Sequence, residues 1–161
     1  MAAQAVIVNG SPIMGAGGLD SISLTQANLN PKFRKDPWLE KHKDDVYLPM
    51  IDTADNVAER YGITRQQQDE YALASQQRVA AGQASGKFDD EIVPMATKMK
   101  GFNKETKEES IVDYVVDKDE CNRADTTLAG LAKLPPAFEE DGSVTAGNAS
   151  QLSDGASMTL L

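Results

Sequence analysis

Cysteine and histidine are nearly missing from this chain: 161 residues contain one of each, Cys121 and His42. A lone cysteine excludes a disulfide framework. With a lone histidine, it also excludes zinc-site spacings and a Cys/His catalytic pair drawn from within the chain, and no metal is expected. Clustered positive charge is missing too. The net charge is −9 and the 16 basic residues are scattered, which argues against nucleic acid or an anionic membrane surface as partner. An anionic ligand would need a locally basic pocket. No apolar run approaches the roughly 18 residues of a membrane span, and no basic stretch precedes the short apolar N-terminus. The default expectation is a soluble, cytoplasmic protein.

What is present has globular proportions. Apolar content of 40% and charged content of 25% exclude wholesale disorder. The length suits one ordinary domain, able to bury about two-thirds of its unfolded surface. MAAQAVIVNG reads as a helix tail closed by Asn9-Gly10. PIMGAGGLDSISL reads as a short buried strand entering a turn at Gly17-Gly18. The following stretch to Pro49 is polar and Pro-punctuated, an excursion with little regular structure. From Met50 the pattern sharpens: Asp52 or Thr53 caps a helix that ends at Gly62. Thr64 and Gln67 form a capping box for a second, antiparallel helix running to Gly86, with an apolar stripe through Tyr71, Ala74, Val79 and Ala81. EIVPM and SIVDYVV read as strands flanking a charged loop, KGFNKETKEE. Thr126 or Thr127 caps a short helix through Leu131, stopped by Pro135-Pro136.

The ends thus read as buried pieces of an α/β sheet, and the middle as a helical insertion. One segment stands out. VTAGNASQLSDGAS (144–157) holds five Ala or Gly and six Ser, Thr, Asn or Asp residues between two apolar stretches. Small residues let a backbone approach a ligand closely, and Gly147 permits conformations other residues resist. A structural turn re-entering a sheet would select the same residues.

Four motifs carry a resemblance. GITRQQQDEYALASQQRVAAGQASGKFDDEIVP (62–94), DECNRADTTLAGLAKLPPAF (119–138), VTAGNASQLSDGAS and GAGGLDSISL resemble, in family order, the loop-domain and flanking motifs of the thiolases. The resemblance implies an α/β, thiolase-like fold: a partial N-terminal core half (1–26 and 143–161) carrying an inserted helical α+β loop domain (27–142). It implies part of an acyltransferase that exchanges acyl groups between a 3-ketoacyl-CoA and coenzyme A, with degradative, β-oxidation members the nearer pattern at Gln151. Coenzyme A and acyl-CoA enter as substrates, with no tightly bound cofactor. The implied partners are the remainder of the thiolase chain and, when complete, a homodimer or homotetramer.

By the same resemblance, the nucleophilic cysteine lies upstream of Met1, and the second cysteine and catalytic histidine lie beyond Leu161. No catalytic residue falls within the chain; Cys121 matches a variable position. The chain alone is therefore expected to be inactive and prone to associate through uncovered sheet edges. The residues implied for coenzyme A are Met50, Arg123, Phe138, Ala146 and Ser150. Ala146 and Ser150 would meet the pantetheine arm, Met50 would lie beside it, Arg123 would meet the nucleotide, and Phe138 would flank the adenine. The plainer alternatives are core packing for Met50, a solvated arginine beside Asp119, Glu120 and Asp125, and a staple on the proline turn for Phe138. The alternative function is a non-catalytic module that binds coenzyme A or assists assembly.

Overall fold

The computed structural model describes every residue except Glu139 and Glu140, and it divides into two units, 1–49 with 150–161, and 50–149. In the first unit, helix α1 (Ala2–Asn9) ends as expected at Gly10, whose φ of 68° is left-handed and strained for any residue with a Cβ. Strand β1 (Gly15–Asp20) pairs antiparallel with the last strand of the chain, Gly155–Leu160, from Gly15↔Leu160 to Asp20↔Gly155. The expected Gly17-Gly18 turn is therefore corrected to strand interior. Gly17 is there for close approach, since a Cβ would lie 2.9 Å from the Ser157 carbonyl oxygen. The strand is also exposed on both faces rather than buried, part of a sheet of only two strands.

A short helix, α2 (Ile22–Thr25), takes its N-terminal partner from across the sequence. Asp154 accepts from the Ser23 amide at 2.8 Å and the Ser21 hydroxyl at 3.0 Å, locking the entry of the last strand to the exit of β1. The excursion that follows holds more regular structure than its composition suggests. Two 3₁₀ turns, Gln26–Asn28 and Pro31–Phe33, precede α3 (Pro37–His42). Asp36 caps α3 by accepting from the Trp38 and Leu39 amides, and Pro37 occupies the first turn, where no amide is needed. His42 stacks on Trp38 with ring centroids 4.4 Å apart, an exposed residue with a structural contact.

The second unit opens with α4 (Met50–Tyr61), which starts two residues before the expected Asp52 cap. Gly62 closes it with φ 64°. Thr64 and Gln67 form the expected capping box for α5 (Arg65–Ala84), and Gly86 follows with φ 70°. The two helices are joined tightly, with the Ile63 amide donating to Ala58, but they come within close backbone range at few points. β2 (Met95–Phe102) and β3 (Glu109–Val116) form a hairpin from Met95↔Val116 to Phe102↔Glu109. The charged loop thus narrows to 103–108, and the expected EIVPM strand is corrected: it runs from the last residue of a 3₁₀ turn (Asp89–Glu91) through an irregular link to Met95, the first residue of β2. Thr127 caps α6 (Leu128–Leu131), and a bridge Pro136↔Thr145 brings the chain back before β4 (Gly155–Leu160).

The buried face of α5 meets the expected apolar stripe only at Ala74. Tyr71 is 72% exposed and Val79 and Ala81 are exposed, whereas Asp69 and Gly82 are buried and Arg65, Gln68, Ala72, Leu73, Ala74, Gln76, Ala80 and Gln83 are half-buried. Matching apolar residues alone misses a helix whose inward face mixes polar and apolar side chains. Among the described residues only Leu131 and Val144 are buried apolar side chains. The accessible surface is 13744 Å², against roughly 7,800 Å² for a compact monomer of this mass and about 9,400 Å² for two separate bodies of half the mass. The expected two-thirds burial is not reached.

Acid should be felt in both units only below the ordinary carboxylate range. The Ser143 hydroxyl and amide lower the Asp55 pKa, with burial opposing, and the Ser23 hydroxyl and amide lower that of Asp154. A depressed carboxylate contributes stability that is complete above its unfolded value, here 3.8, and is lost as pH falls through the folded value. Melting temperature should fall below pH 4 (roughly) in the native chain. Ser143→Ala should flatten that fall, which a pH series of thermal melts checks.

Candidate functional site

The segment 143–149 is held by a buried polar network. Asp69, 2% exposed, accepts from Arg65 Nε at 2.9 Å with one oxygen and from Asn148 Nδ2 at 3.0 Å with the other. Arg65 spends its remaining reach on two carbonyls, that of Leu131 at the end of α6 at 2.8 Å and that of Leu134 in the turn after it at 3.1 Å. The first is a group that a helix end leaves without an intrahelical partner. Asn148 closes the turn by accepting from the Thr145 amide at 2.8 Å and donating to the Ser143 carbonyl. Thr145, at 0% exposure, bonds the Gly147 amide through its hydroxyl. Ser143 donates to Asp55 on α4 and accepts from Gln68 on α5. No buried side-chain nitrogen or oxygen is left unpaired among the described residues. This is why the segment is small and polar: each hydroxyl and amide is a fixed bond.

Gly147 is needed for a different reason from the expected one. Its φ is not left-handed, but a Cβ would lie 2.5 Å from both Leu131 Cδ2 and Leu134 Cδ1. Close packing, not conformational freedom, demands glycine there.

The five expected site residues are all exposed. Met50, Arg123, Phe138 and Ala146 belong to the 50–149 unit, and Ser150 to the other. Ala146 sits at the tip of the turn just described. Phe138 follows Ala137, whose amide donates to the Val144 carbonyl at 2.8 Å, so both flank the same paired segment. Arg123 is anchored through its backbone: its amide donates to Gln76 Oε1 at 2.8 Å and its carbonyl accepts from Thr126. Its guanidinium forms no hydrogen bond or ion pair with a described residue. Two of the three expected carboxylate neighbours are otherwise engaged. Asp119 bonds the Cys121 amide and Glu120 bonds the Tyr114 hydroxyl, which raises the Tyr114 pKa. Cys121 is free and exposed.

Sequence reasoning missed Asp69, Gln76, Asn122 and Asn148, the residues that hold the exposed ones. Asn122 donates to both the Gln76 carbonyl and its Oε1. The available signal was the seven-residue spacing of Asp69, Gln76 and Gln83, which puts three polar side chains on one face of α5. A groove of about 760 Å³ lies beside that face, with Val79, Phe88 and Ile92 among its apolar lining. Asp89, Glu91, Asp117 and Asp119 line it against a single Lys118, which suits no anionic ligand. No group of three or more metal-ligating side chains occurs among the described residues.

The model for the thiolase N-terminal domain matches residues 1–161, the whole chain. The chain belongs to the thiolase family. Human peroxisomal 3-ketoacyl-CoA thiolase is 48% identical over 157 residues, covering 96% of the chain and 36% of that protein. An acetyl-CoA acetyltransferase of Chromobacterium violaceum is 42% identical, covering 100% of the chain and 42% of that protein. The chain therefore spans about two-fifths or less of the length of these relatives. Among solved structures, the dimeric peroxisomal thiolase of Saccharomyces cerevisiae superposes with a TM-score of 0.76 at 32% identity, over 98% of the chain and 38% of the neighbour. Human mitochondrial 3-ketoacyl-CoA thiolase in complex with CoA gives 0.69 at 34% identity, over 98% and 39%. The mixed α/β, partial thiolase fold is thereby established.

The expectation of a cytoplasmic protein is corrected. The human, rat and mouse relatives are peroxisomal by name. Composition carries no information on this point, because compartment is assigned by short signals read by receptors rather than by the fold.

Proposed function

We propose that this chain serves within a thiolase that transfers acyl groups between a 3-ketoacyl-CoA and coenzyme A, and that its own part is to hold the coenzyme. The carrying observation is Arg123, a family-motif arginine whose backbone is fixed from two sides while its guanidinium is uncommitted among the described residues. A guanidinium so placed can stack on an adenine face and attract phosphate. Ala146 supplies exposed main chain to the pantetheine arm, with Ser150 as hydroxyl donor, Met50 beside the arm and Phe138 toward the adenine. The likeness to a thiolase solved with CoA supports this assignment. The nucleophile, base and oxyanion donors come from the remainder of the enzyme, so this chain contributes orientation, which is itself worth rate. Residues 27–142 are proposed as the loop domain, the complete protein as a homodimer or homotetramer, and its setting as peroxisomal β-oxidation.

The test is Arg123→Ala in the full-length protein. A partly solvated charge-assisted contact is worth on the order of 1–2 kcal/mol, so KM for a coenzyme A thioester should rise roughly tenfold. The maximal rate should hold, because the contact is remote from the reacting thioester and equal in ground and transition states. A pantetheine thioester lacking the nucleotide should be indifferent. Equal damage to both substrates would make Arg123 structural and sink the assignment.

A further inference from the structure

Helix α5 reaches two separate loops from one face. Asp69 holds Asn148, and with it the turn that carries Ala146. Seven residues on, Gln76 holds Asn122 and the Arg123 amide, both on the single acceptor Oε1 at 2.8 Å. A further seven residues on, Gln83 donates to the Asp119 carbonyl at 2.9 Å. Seven residues are close to two helical turns, so the first two anchors share a face and stand about 10 Å apart along the axis. Coenzyme A is long, and a protein that reads both its pantetheine and nucleotide ends must keep two contact points at fixed separation. Loops alone do not do that; a 20-residue capped helix does.

We propose that α5 is the spacer that sets the distance between the two coenzyme A contact segments, and that Gln76 is the positioning residue for Arg123. This rests on the reading of Arg123 as the nucleotide contact. Gln76 itself touches no ligand. Its acceptor oxygen fixes where the Arg123 backbone leaves the helix face, and so where the guanidinium can reach. Asn122 shares that oxygen, which prevents the 122–123 peptide from turning about a single bond. Helix α5 thus gains from polar side chains on its inward face what an apolar stripe could not give, direction as well as contact.

The experiment is a double-mutant cycle on the full-length protein, using a coenzyme A thioester and a nucleotide-free pantetheine thioester. Gln76→Met keeps the side chain's length and removes the acceptor; Gln76→Glu keeps the acceptor. The expected result is that Gln76→Met raises KM for the coenzyme A thioester about tenfold, as Arg123→Ala does, with the double variant no worse than either. Gln76→Glu should stay within about twofold of wild type, and the pantetheine thioester should be unaffected throughout. If Arg123→Ala raises KM selectively while Gln76→Met does not, or if the two effects multiply in the double variant, the spacer role falls and the Arg123 reading survives. If Gln76→Met harms both thioesters alike, Gln76 is a general fold element and the proposal is overturned. If Arg123→Ala leaves the coenzyme A thioester unchanged, both readings fall together, an outcome distinct from the others.

Discussion

Asp69→Ala is expected to destabilise the 50–149 unit by about 3 kcal/mol, the low end for breaking a buried charge pair because Arg65 keeps some access to water. The carboxylate is almost wholly buried and both its oxygens are committed, one to Arg65 and one to Asn148. Removing it takes the acceptor from a guanidinium nitrogen and from one Asn148 amide hydrogen. The damage should also travel. Arg65 holds the Leu131 and Leu134 carbonyls, and Asn148 holds the Thr145 amide, so α6 and the 143–149 turn lose their shared support. Asp69→Asn is a sharper test. An amide has one acceptor, so one of the two donors must face its NH₂ group, and most of the loss should remain. Urea melts of the three proteins check this. If Asp69→Asn melts with wild type, the charge is unimportant and the network has been misread.

How far the sequence revealed this architecture depended on whether the determining chemistry is local. Helix ends were legible: Gly10, Gly62, the Thr64–Gln67 box and Thr127 all act within a few residues of themselves, and the structure places each as expected. The inward face of α5 was not legible, because what makes Asp69 and Gln76 inward is their partners 79 and 46 residues away. Periodicity of apolar residues pointed to Tyr71, which is exposed. The Gly17-Gly18 pair misled for a related reason. Glycine marks a turn when φ is positive and a strand when another backbone comes close, and only the pairing with Ser157 and Met158 distinguishes them. The family was legible from four motifs in order, and the exposed candidates came with it. The buried residues that hold those candidates needed coordinates.

Gly147 carries the other large effect. A methyl at this position would meet Leu131 and Leu134 side-chain tips at 2.5 Å each, and Leu131 is among the most buried residues of the unit. Half-buried Leu134 has room to swing outward, whereas Leu131 is 4% exposed and its tip has to move within the core. Gly147→Ala should therefore destabilise by about 1–2 kcal/mol, and Gly147→Val by roughly 3 kcal/mol, as overpacking of a small core. The control is Gly155→Ala, where no atom lies within 4 Å of the added methyl. That change should be neutral or slightly stabilising, through loss of unfolded-state freedom alone. Because Gly147 directly follows Ala146, any relief of the clash by backbone movement also displaces the main chain proposed to meet pantetheine. Gly147→Ala in the full-length protein should thus raise KM for coenzyme A and pantetheine thioesters alike, unlike the nucleotide-selective change at Arg123. A Gly147→Ala protein that melts and binds as wild type would mean the two leucines yield freely, and that glycine is dispensable at the turn.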